Sequence, residues 1–269
     1  MRFIAFACLS GMVVGCATAP AATRTLSFAA QLEDDDPETH LLDLPSGKSQ
    51  LGDSVVRVVA GRNGICSGVL VDDAIVLTAQ HCVTDERGTM SPALLFVELG
   101  GDALPWGRAG ARRVIPCEGW EGTADFDVAA LVLEARIPKE VPRIPIAWNM
   151  QATVERGFEV VAMGFGSSMT VAQLPNSDLR IWSSHRTDRT GSLAWASDQA
   201  LGADLASRGG DSGSPILSAA TGEIVAITAV GREGDVTKNE TPLTIGARVD
   251  ACLPMLAAAR NAEMLLVRQ

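Results

Sequence analysis

The chain has 269 residues, a length that suits one large domain or two small ones. Hydrophobic residues make up 47% of it and charged residues 20%, which excludes a wholly disordered chain. Acidic residues outnumber basic ones by 32 to 22, and the formal net charge is −10. Because a field of that sign repels phosphate backbones, we expect no nucleic acid among the partners.

Residues 1–15 have the pattern of a signal peptide, with Arg2 before a short apolar run that cannot span a bilayer. The ending Val13-Val14-Gly15-Cys16 resembles a bacterial lipobox, which predicts that Cys16 becomes the lipidated first residue of the mature protein. The alternative is an ordinary signal peptide cut near Ala17-Thr18-Ala19 or Pro20-Ala21-Ala22. Both interpretations predict an exported protein, either lipid-anchored in the bacterial cell envelope or secreted, in which disulfides form. We expect membrane contact only through the lipid on Cys16.

Residues 16–50 are predicted to be a flexible acidic tether, because they contain several prolines and the acidic run Glu33-Asp34-Asp35-Asp36 without apolar periodicity. From Ser54 onward, short runs rich in Val, Ile and Leu alternate with turn residues. We predict strands at 55–59, 67–71, 74–78, 93–97, 128–133, 159–163, 224–228 and 243–247. Many short strands of this kind favour a β-barrel or sandwich over βαβ units. Only the C-terminal stretch has helical spacing, at Leu253, Met255, Leu256, Ala259, Met264 and Leu265.

The chain has three histidines, and one of them is placed for chemistry. His40 lies in the tether and His185 in a polar stretch, so both are predicted to be exposed. His81 follows an apolar run and, taken alone, is best explained as a structural histidine. A histidine serves as a general base when a carboxylate orients its ring. Two carboxylates, Asp125 and Asp127, compete for that role, and Asp127 directly precedes a predicted strand.

Ser212 lies in the segment Gly209-Gly210-Asp211-Ser212-Gly213-Ser214-Pro215. The glycines allow a tight turn that exposes the serine hydroxyl and leaves backbone N–H groups pointing at one spot. Without His81 and Asp127, the segment is best interpreted as a surface turn. With them, it is a candidate nucleophile beside a base.

Three segments together resemble the trypsin-like (chymotrypsin-fold) serine protease family. They are Leu77-Thr78-Ala79-Gln80-His81-Cys82, Asp127-Val128-Ala129-Ala130-Leu131 and Gly210-Asp211-Ser212-Gly213-Ser214-Pro215, in the family's order His, Asp, Ser. Gln80 and Ser214 stand where Ala and Gly are common. Weaker matches are Gly164-Phe165-Gly166 and Gly246-Ala247-Arg248-Val249. The resemblance covers about residues 51–262. It implies an all-β fold of two packed antiparallel β-barrels, at 51–147 and 148–269, the second carrying a C-terminal α-helix.

The resemblance also implies the role of each site residue. Ser212 would attack the scissile carbonyl, His81 would take and return its proton, and Asp127 would hold the imidazole. The backbone N–H groups of Gly210 and Ser212 would form the oxyanion hole. The function implied is that of an exported serine endopeptidase acting on polypeptides. The alternative is a catalytically silent or zymogen-like member of the fold that binds a partner protein or peptide. We expect no cofactor and no metal.

The family resemblance gives the cysteines a pairing as well. Cys66 and Cys82 flank the strand pair that leads to His81, as a family disulfide does, and Cys117 and Cys252 remain to pair with each other. Cys8 would leave with the signal peptide.

Substrate preference rests on an approximate alignment counted back from Ser212. It places Ala206 at the base of the primary pocket, with walls from Ser207, Gly231 and Thr244, and favours small or medium apolar side chains. A slip of two residues in this alignment would bring the carboxylate of Asp204 there instead. The segment Ala229-Val230-Gly231 is expected to offer an edge strand to the substrate backbone.

Activation is where the chain departs from the family. Many members are cut before an apolar residue and two glycines, and the new amino group pairs with the aspartate beside the catalytic serine, here Asp211. Residues 17–55 contain no such start. Either Asp211 has an internal partner, or cleavage of the tether activates the protein, because a buried unpaired carboxylate is strongly unfavourable.

Overall fold

The computed structural model of the chain describes residues 51–61, 64–99, 105, 107–148, 156–166, 170–173, 180–183, 186–232 and 241–265. The predicted signal peptide, the tether with His40, the lipidation site Cys16, and His185 lie outside these residues. None of the described helices has both the length and the apolar character needed to cross a membrane.

Six antiparallel strands close into a first barrel, in the order β1-β2-β3-β8-β7-β6. Its strands are β1 (Val55–Ala60), β2 (Gly64–Asp72), β3 (Ile75–Thr78), β6 (Leu95–Leu99), β7 (Gly107–Pro116) and β8 (Ala129–Leu133). A small hairpin of β4 (Thr84–Asp85) and β5 (Gly88–Thr89) and the 3-10 turns Leu51–Ser54, Gln80–Val83 and Pro92–Leu94 complete this half. The β-branched residues of β1 and β3 are buried, as their composition predicts.

A second closed barrel has the order β12-β13-β16-β15-β14-β9, again with antiparallel neighbours. Its strands are β9 (Glu159–Gly164), β12 (Thr187–Ala196), β13 (Ala200–Ala203), β14 (Pro215–Ser218), β15 (Ile224–Arg232) and β16 (Leu243–Arg248). Strands β10 (Thr170–Gln173) and β11 (Arg180–Ser183) form a separate two-stranded sheet. The chain ends in a 3-10 turn, Val249–Cys252, and helix α1 (Leu253–Met264). The predicted fold class is therefore confirmed.

Strand β1 lies where the barrels meet. Val56, Val58 and Ala60 point into the core of the first barrel. Arg57 points the other way and is fully buried, with its guanidinium carbon 4.1 Å from the centroid of the Phe165 ring, just after β9. Across the β1–β6 ladder, Arg57 is opposite Glu98. Burial raises the pKa of Glu98, although the Coulombic fields of Arg57 and Arg108 act to lower it.

Helix α1 covers the first barrel rather than the second. Its buried residues Met255, Leu256, Ala259 and Ala262 belong to the same core cluster as β3 and β8. Leu253, Met264 and Leu265, which helical spacing also predicted to lie on the apolar face, are about half exposed. Cys252 immediately precedes the helix, and its disulfide to Cys117 fastens this end of the helix to the end of β7.

The far end of α1 is held by a buried carboxylate. The backbone N–H of Ala74, in the turn between β2 and β3, donates to Oε1 of Glu263 at 2.9 Å. Burial is the main cause that raises the pKa of Glu263 above its ordinary value of 4.5, and the nearby charge of Asp72 raises it further. The folded chain therefore binds a proton at Glu263 more tightly than the unfolded chain does.

We predict that Glu263→Gln removes a loss of stability that the wild type shows as pH rises above 4.5. In the wild type, a raised folded pKa means that the contribution of Glu263 to stability is fully present below pH 4.5 and is lost as pH rises through the folded pKa of Glu263. Gln keeps an acceptor for the Ala74 N–H and does not ionise. Thermal unfolding at a series of pH values should show the Gln variant gaining on the wild type as pH rises, and parallel profiles would contradict the assignment.

Candidate active site

His81 sits in the 3-10 turn Gln80–Val83, immediately after β3. Its Nδ1 lies 2.7 Å from Oδ2 of Asp127, and its backbone N–H donates to Oδ1 of the same carboxylate at 2.9 Å. The disulfide between Cys66 and Cys82 ties the residue after His81 to strand β2, and this is the pair that the resemblance implied. The hydrogen bond to Asp127 thus holds the Nδ1 side of the His81 imidazole, while 37% of the side chain remains exposed.

Asp127 is buried, with 4% of its side chain exposed, and stands just before β8. The preceding residue, Phe126, has φ +59°, a left-handed conformation that is unfavourable for a side chain of this size. The N–H of Val128 donates to the carbonyl of Phe126 at 2.7 Å, closing the bend that turns Asp127 inward. The competing carboxylate, Asp125, is exposed.

Ser212 lies in a turn between β13 and β14 that is stabilised from within. The N–H of Asp211 donates to the carbonyl of Arg208 at 3.0 Å, and the N–H of Ser214 donates to the carbonyl of Asp211 at 2.9 Å. The turn requires Gly210 at φ +94° and Gly213 at φ +85°. Among the described residues, no acceptor pairs with the N–H of Gly210 or of Ser212. These two groups are the predicted oxyanion donors.

The turn docks on the first barrel through Ser67 of β2. The Ser67 N–H donates to the carbonyl of Ser212 at 2.7 Å, and its hydroxyl donates to the carbonyl of Gly210 at 2.8 Å. The hydroxyl of Thr78 in turn donates to the Ser67 carbonyl at 2.8 Å. Because Thr78 is three residues before His81, this network brings the serine turn to the histidine turn.

Asp211 has an internal partner, which the sequence left open. Its carboxylate is buried and accepts from Nη1 of Arg189 at 2.5 Å, from the Gly166 N–H at 2.8 Å and from the Arg208 N–H at 3.0 Å. Sequence reasoning missed Arg189, because its strand β12 has a polar sequence, Thr-Asp-Arg-Thr-Gly-Ser, that was not predicted to be a strand. The weak family match at Gly164-Phe165-Gly166 was the one sequence signal near the partners of Asp211.

The residues predicted to form the substrate pocket differ in exposure. Ser207 and Thr244 are buried, and the Thr244 hydroxyl donates to the carbonyl of Leu205 at 2.8 Å. A Cβ built on Gly231 would overlap the Ser207 hydroxyl, so these two wall residues are in close contact. Ala206 is partly buried.

The other predicted pocket residues lie on strand β15, where Ala229 is buried and Val230 is 53% exposed. The ladder to β14 ends at the pair Pro215–Ile227, so residues 229–231 have no partner on that side among the described strands. Asp204 is exposed and lines a cavity of about 450 Å³ with Glu159 and Thr190.

One cluster at the site has the residue types of a metal centre. Potential ligand atoms of Cys66, His81 and Cys82 all lie within 4.8 Å of one another. Both sulfurs belong to the disulfide, however, and a metal needs thiolates. The cluster therefore does not fit a metal ion.

We predict that Gly213→Ala destabilises the protein by roughly 2–5 kcal/mol, since it adds left-handed strain to a steric clash. The new Cβ would overlap the Ser67 carbonyl oxygen and the Thr78 hydroxyl. The matched control is Gly222→Ala, which also has positive φ, at +72°, but has open space around it. The control should lose only about 1–2 kcal/mol. Urea unfolding measures both, and equal losses would contradict the docking geometry.

Comparison with known proteins agrees with this architecture. The family model described as Trypsin matches residues 47–256. Serine protease SP24D of Anopheles gambiae is 35% identical over 112 residues, which are 41% of this chain and 41% of that protein. The chain thus matches about two fifths of the length of this curated relative. Because the relative is an animal protein, the comparisons do not support the bacterial lipoprotein type that the lipobox predicted.

Two solved structures share the fold at 16% sequence identity, which is evidence for the fold alone. A Glu endopeptidase in complex with MPD has a TM-score of 0.60 and covers 85% of this chain and 98% of its own. The scabies mite inactivated protease paralogue S-D1 has a TM-score of 0.62, with coverages of 82% and 98%. With two six-stranded barrels and a family match over most of its length, the chain belongs to the trypsin family of serine proteases.

Proposed function

We propose that the protein is an active, exported serine endopeptidase that uses Ser212, His81 and Asp127. The observation that carries the proposal is the pair of hydrogen bonds that the Asp127 carboxylate makes to His81, one to Nδ1 and one to the backbone N–H. A buried carboxylate on Nδ1 keeps the proton on that nitrogen and leaves the lone pair of Nε2 free to accept another. Nε2 lies 3.6 Å from the Cys82 sulfur, which is in a disulfide and has no hydrogen to donate.

We infer the chemical sequence from the roles that the family resemblance implies for these residues. As Oγ of Ser212 forms a bond to the scissile carbonyl carbon, its proton passes to Nε2 of His81, and Asp127 stabilises the imidazolium. The carbon–nitrogen bond then breaks, and the same proton goes to the leaving amine. A water molecule then attacks the acyl carbon and gives a proton to Nε2 of His81. The bond from the acyl carbon to Oγ of Ser212 breaks, His81 passes the proton to Oγ, and the acid leaves.

The oxyanion that forms in each step needs donors already in place. The N–H groups of Gly210 and Ser212 suit this role, because neither pairs with a described acceptor and the turn between them is fixed by internal hydrogen bonds. Preorganised donors of this kind contribute about 3 kcal/mol each to lowering the barrier. Gly210 has φ +94°, a conformation that residues with a side chain rarely adopt, so the turn favours glycine at this position.

The substrate we propose is an extended polypeptide that pairs with Ala229-Val230-Gly231. This segment supports the proposal because it has no described strand partner on the side of β14, next to the Ser212 turn. The primary pocket, built from Ala206, Ser207 and Thr244, would be uncharged and shallow, and small or medium apolar side chains fit it best.

Export is the final part of the proposal, and the two disulfides support it, since such bonds persist in oxidising compartments. Lipidation of Cys16 would give a lipid-anchored form, and cleavage near Ala17-Thr18-Ala19 or Pro20-Ala21-Ala22 would give a secreted one. The choice between them stays a prediction from the sequence alone.

We predict that a fluorophosphonate probe labels the wild type and labels neither Ser212→Ala nor His81→Ala. The first variant has no nucleophile, and the second has no base to activate it. Peptide hydrolysis should fall by about 10⁴-fold or more in both. The matched control is Ser197→Ala in the β12–β13 turn, whose hydroxyl bonds only to nearby backbone. Circular dichroism should show that every variant is folded.

The same experiment decides the alternative, a catalytically silent member of the fold that binds a partner protein or peptide. The scabies mite paralogue shares the fold and is described as inactivated, so the fold alone does not imply activity. Labelling that depends on Ser212 and His81 supports the enzyme. Folded wild type that no probe labels under any condition supports the binding protein.

We predict that Ser207→Ala shifts the substrate preference toward larger apolar side chains. Removing the hydroxyl that touches Gly231 widens the pocket by one atom, and a change of this size alters selectivity by about 10-fold. The measurement is the ratio of kcat/KM for peptides with Leu and with Ala before the scissile bond. An unchanged ratio would show that Ser207 does not form the pocket wall.

A further inference from the structure

The carboxylate next to the nucleophile, Asp211, takes no part in the proposed proton transfers, yet it is 1% exposed. Glycines make room for it: a Cβ built on Gly166 would overlap the Asp211 carboxylate, and one on Gly164 would lie 2.5 Å from its Oδ1. A buried carboxylate persists in its charged form only with a cation and hydrogen-bond donors around it. The structure supplies these from the second barrel itself.

The cation is Arg189, whose side chain is itself mostly buried. Its Nη1 pairs with Oδ2 of Asp211, and its Nη2 donates to the hydroxyl of Thr187 at 2.8 Å. Thr187 and Arg189 are two residues apart on β12 and therefore share one face of the strand. Because both terminal nitrogens are held, the guanidinium is fixed in place before any substrate arrives.

Asp211 connects Arg189 to the backbone of the turn that carries the proposed oxyanion donors. Its Oδ2 accepts the N–H of Arg208, and its backbone N–H donates back to the carbonyl of Arg208. Its own carbonyl accepts the N–H of Ser214. These hydrogen bonds fix the backbone from Arg208 to Ser214, and Gly210 and Ser212 lie within that segment.

We propose that Arg189 is a positioning residue that holds Asp211, and through it the N–H groups of Gly210 and Ser212, in their working arrangement. The chain then needs no new amino terminus at Asp211, because Arg189 already occupies the cation position. It follows that cleavage within residues 17–50 is not required for activity. This inference rests on the proposed function of Ser212 as a nucleophile.

The test compares Arg189→Met with Arg248→Met in the full chain. Arg248 is a matched control, since it is also buried in the second barrel and pairs with Asp250 at 2.6 Å, but among the described residues no hydrogen bond joins its side chain to the serine turn. Two quantities are measured in folded protein: the rate of fluorophosphonate labelling, and amide hydrogen exchange over residues 206–214. We expect about 100-fold slower labelling and faster exchange in Arg189→Met only.

Addition of guanidinium ion at a non-denaturing concentration should restore part of the labelling rate of Arg189→Met, because the ion can enter the vacated cation position. It should not change the Arg248→Met variant. A purely structural role for Arg189 would lower the unfolding temperature without this rescue. Folded Arg189→Met with wild-type labelling and wild-type exchange would overturn the proposal.

A second measurement uses the wild type and does not depend on the variant folding. The intact mass of labelled protein should show that the label is present on chains that retain residues 17–50, at the same rate as on trimmed chains. Label found on trimmed chains alone would overturn the proposal. A wild type that does not label at all contradicts the proposed function instead, and amide exchange in Arg189→Met then decides whether Arg189 orders the turn.

Discussion

The structure of the site depends on one buried serine, Ser67, which joins the two barrels. Its N–H and hydroxyl donate to the carbonyls of Ser212 and Gly210, its hydroxyl accepts the N–H of Phe165 at 3.0 Å, and its carbonyl accepts the hydroxyl of Thr78. Every polar group of this residue is therefore satisfied, which is what its complete burial demands. Since Cys66 precedes it and is bonded to Cys82, the same stretch of β2 also fixes the histidine turn.

Two buried carboxylates lie near the junction at Ser67, and each has a different partner and role. Asp127 pairs with His81 and takes part in the proposed catalysis. Asp211 pairs with Arg189 and stabilises the turn that contains Ser212. Removing Arg189 would leave Asp211 as an uncompensated buried charge, which is far more unfavourable than losing a surface ion pair. The first pair is formed within the first barrel and the second within the second barrel. Each half of the protein thus completes its own part of the site.

Much of this could be predicted from the sequence because the signals are local. The turn glycines around Ser212, the apolar strand after Asp127 and the β-branched run before His81 each lie within a few residues of the group they position. The strands rich in Val, Ile and Leu were found for the same reason.

The strands that were not predicted form because of contacts that are distant in the sequence. Strands β7 and β12 are rich in Gly, Arg and polar residues, and β13 (Ala-Leu-Gly-Ala) and β14 (Pro-Ile-Leu-Ser) are only four residues long. These four segments are strands because barrel neighbours pair with them on both sides. Arg189 lies on one of them, 22 residues before its partner.

The assignment of Ser212 as the nucleophile, and of the backbone N–H groups of Gly210 and Ser212 as the oxyanion donors, can be tested directly by a crystal structure of the protein after reaction with a peptidyl phosphonate. We expect a covalent bond from Oγ of Ser212 to phosphorus, with a phosphonyl oxygen at about 3 Å from both backbone nitrogens. A phosphonate bonded to another residue, or one whose oxygen points away from both N–H groups, would show that the assignment is wrong.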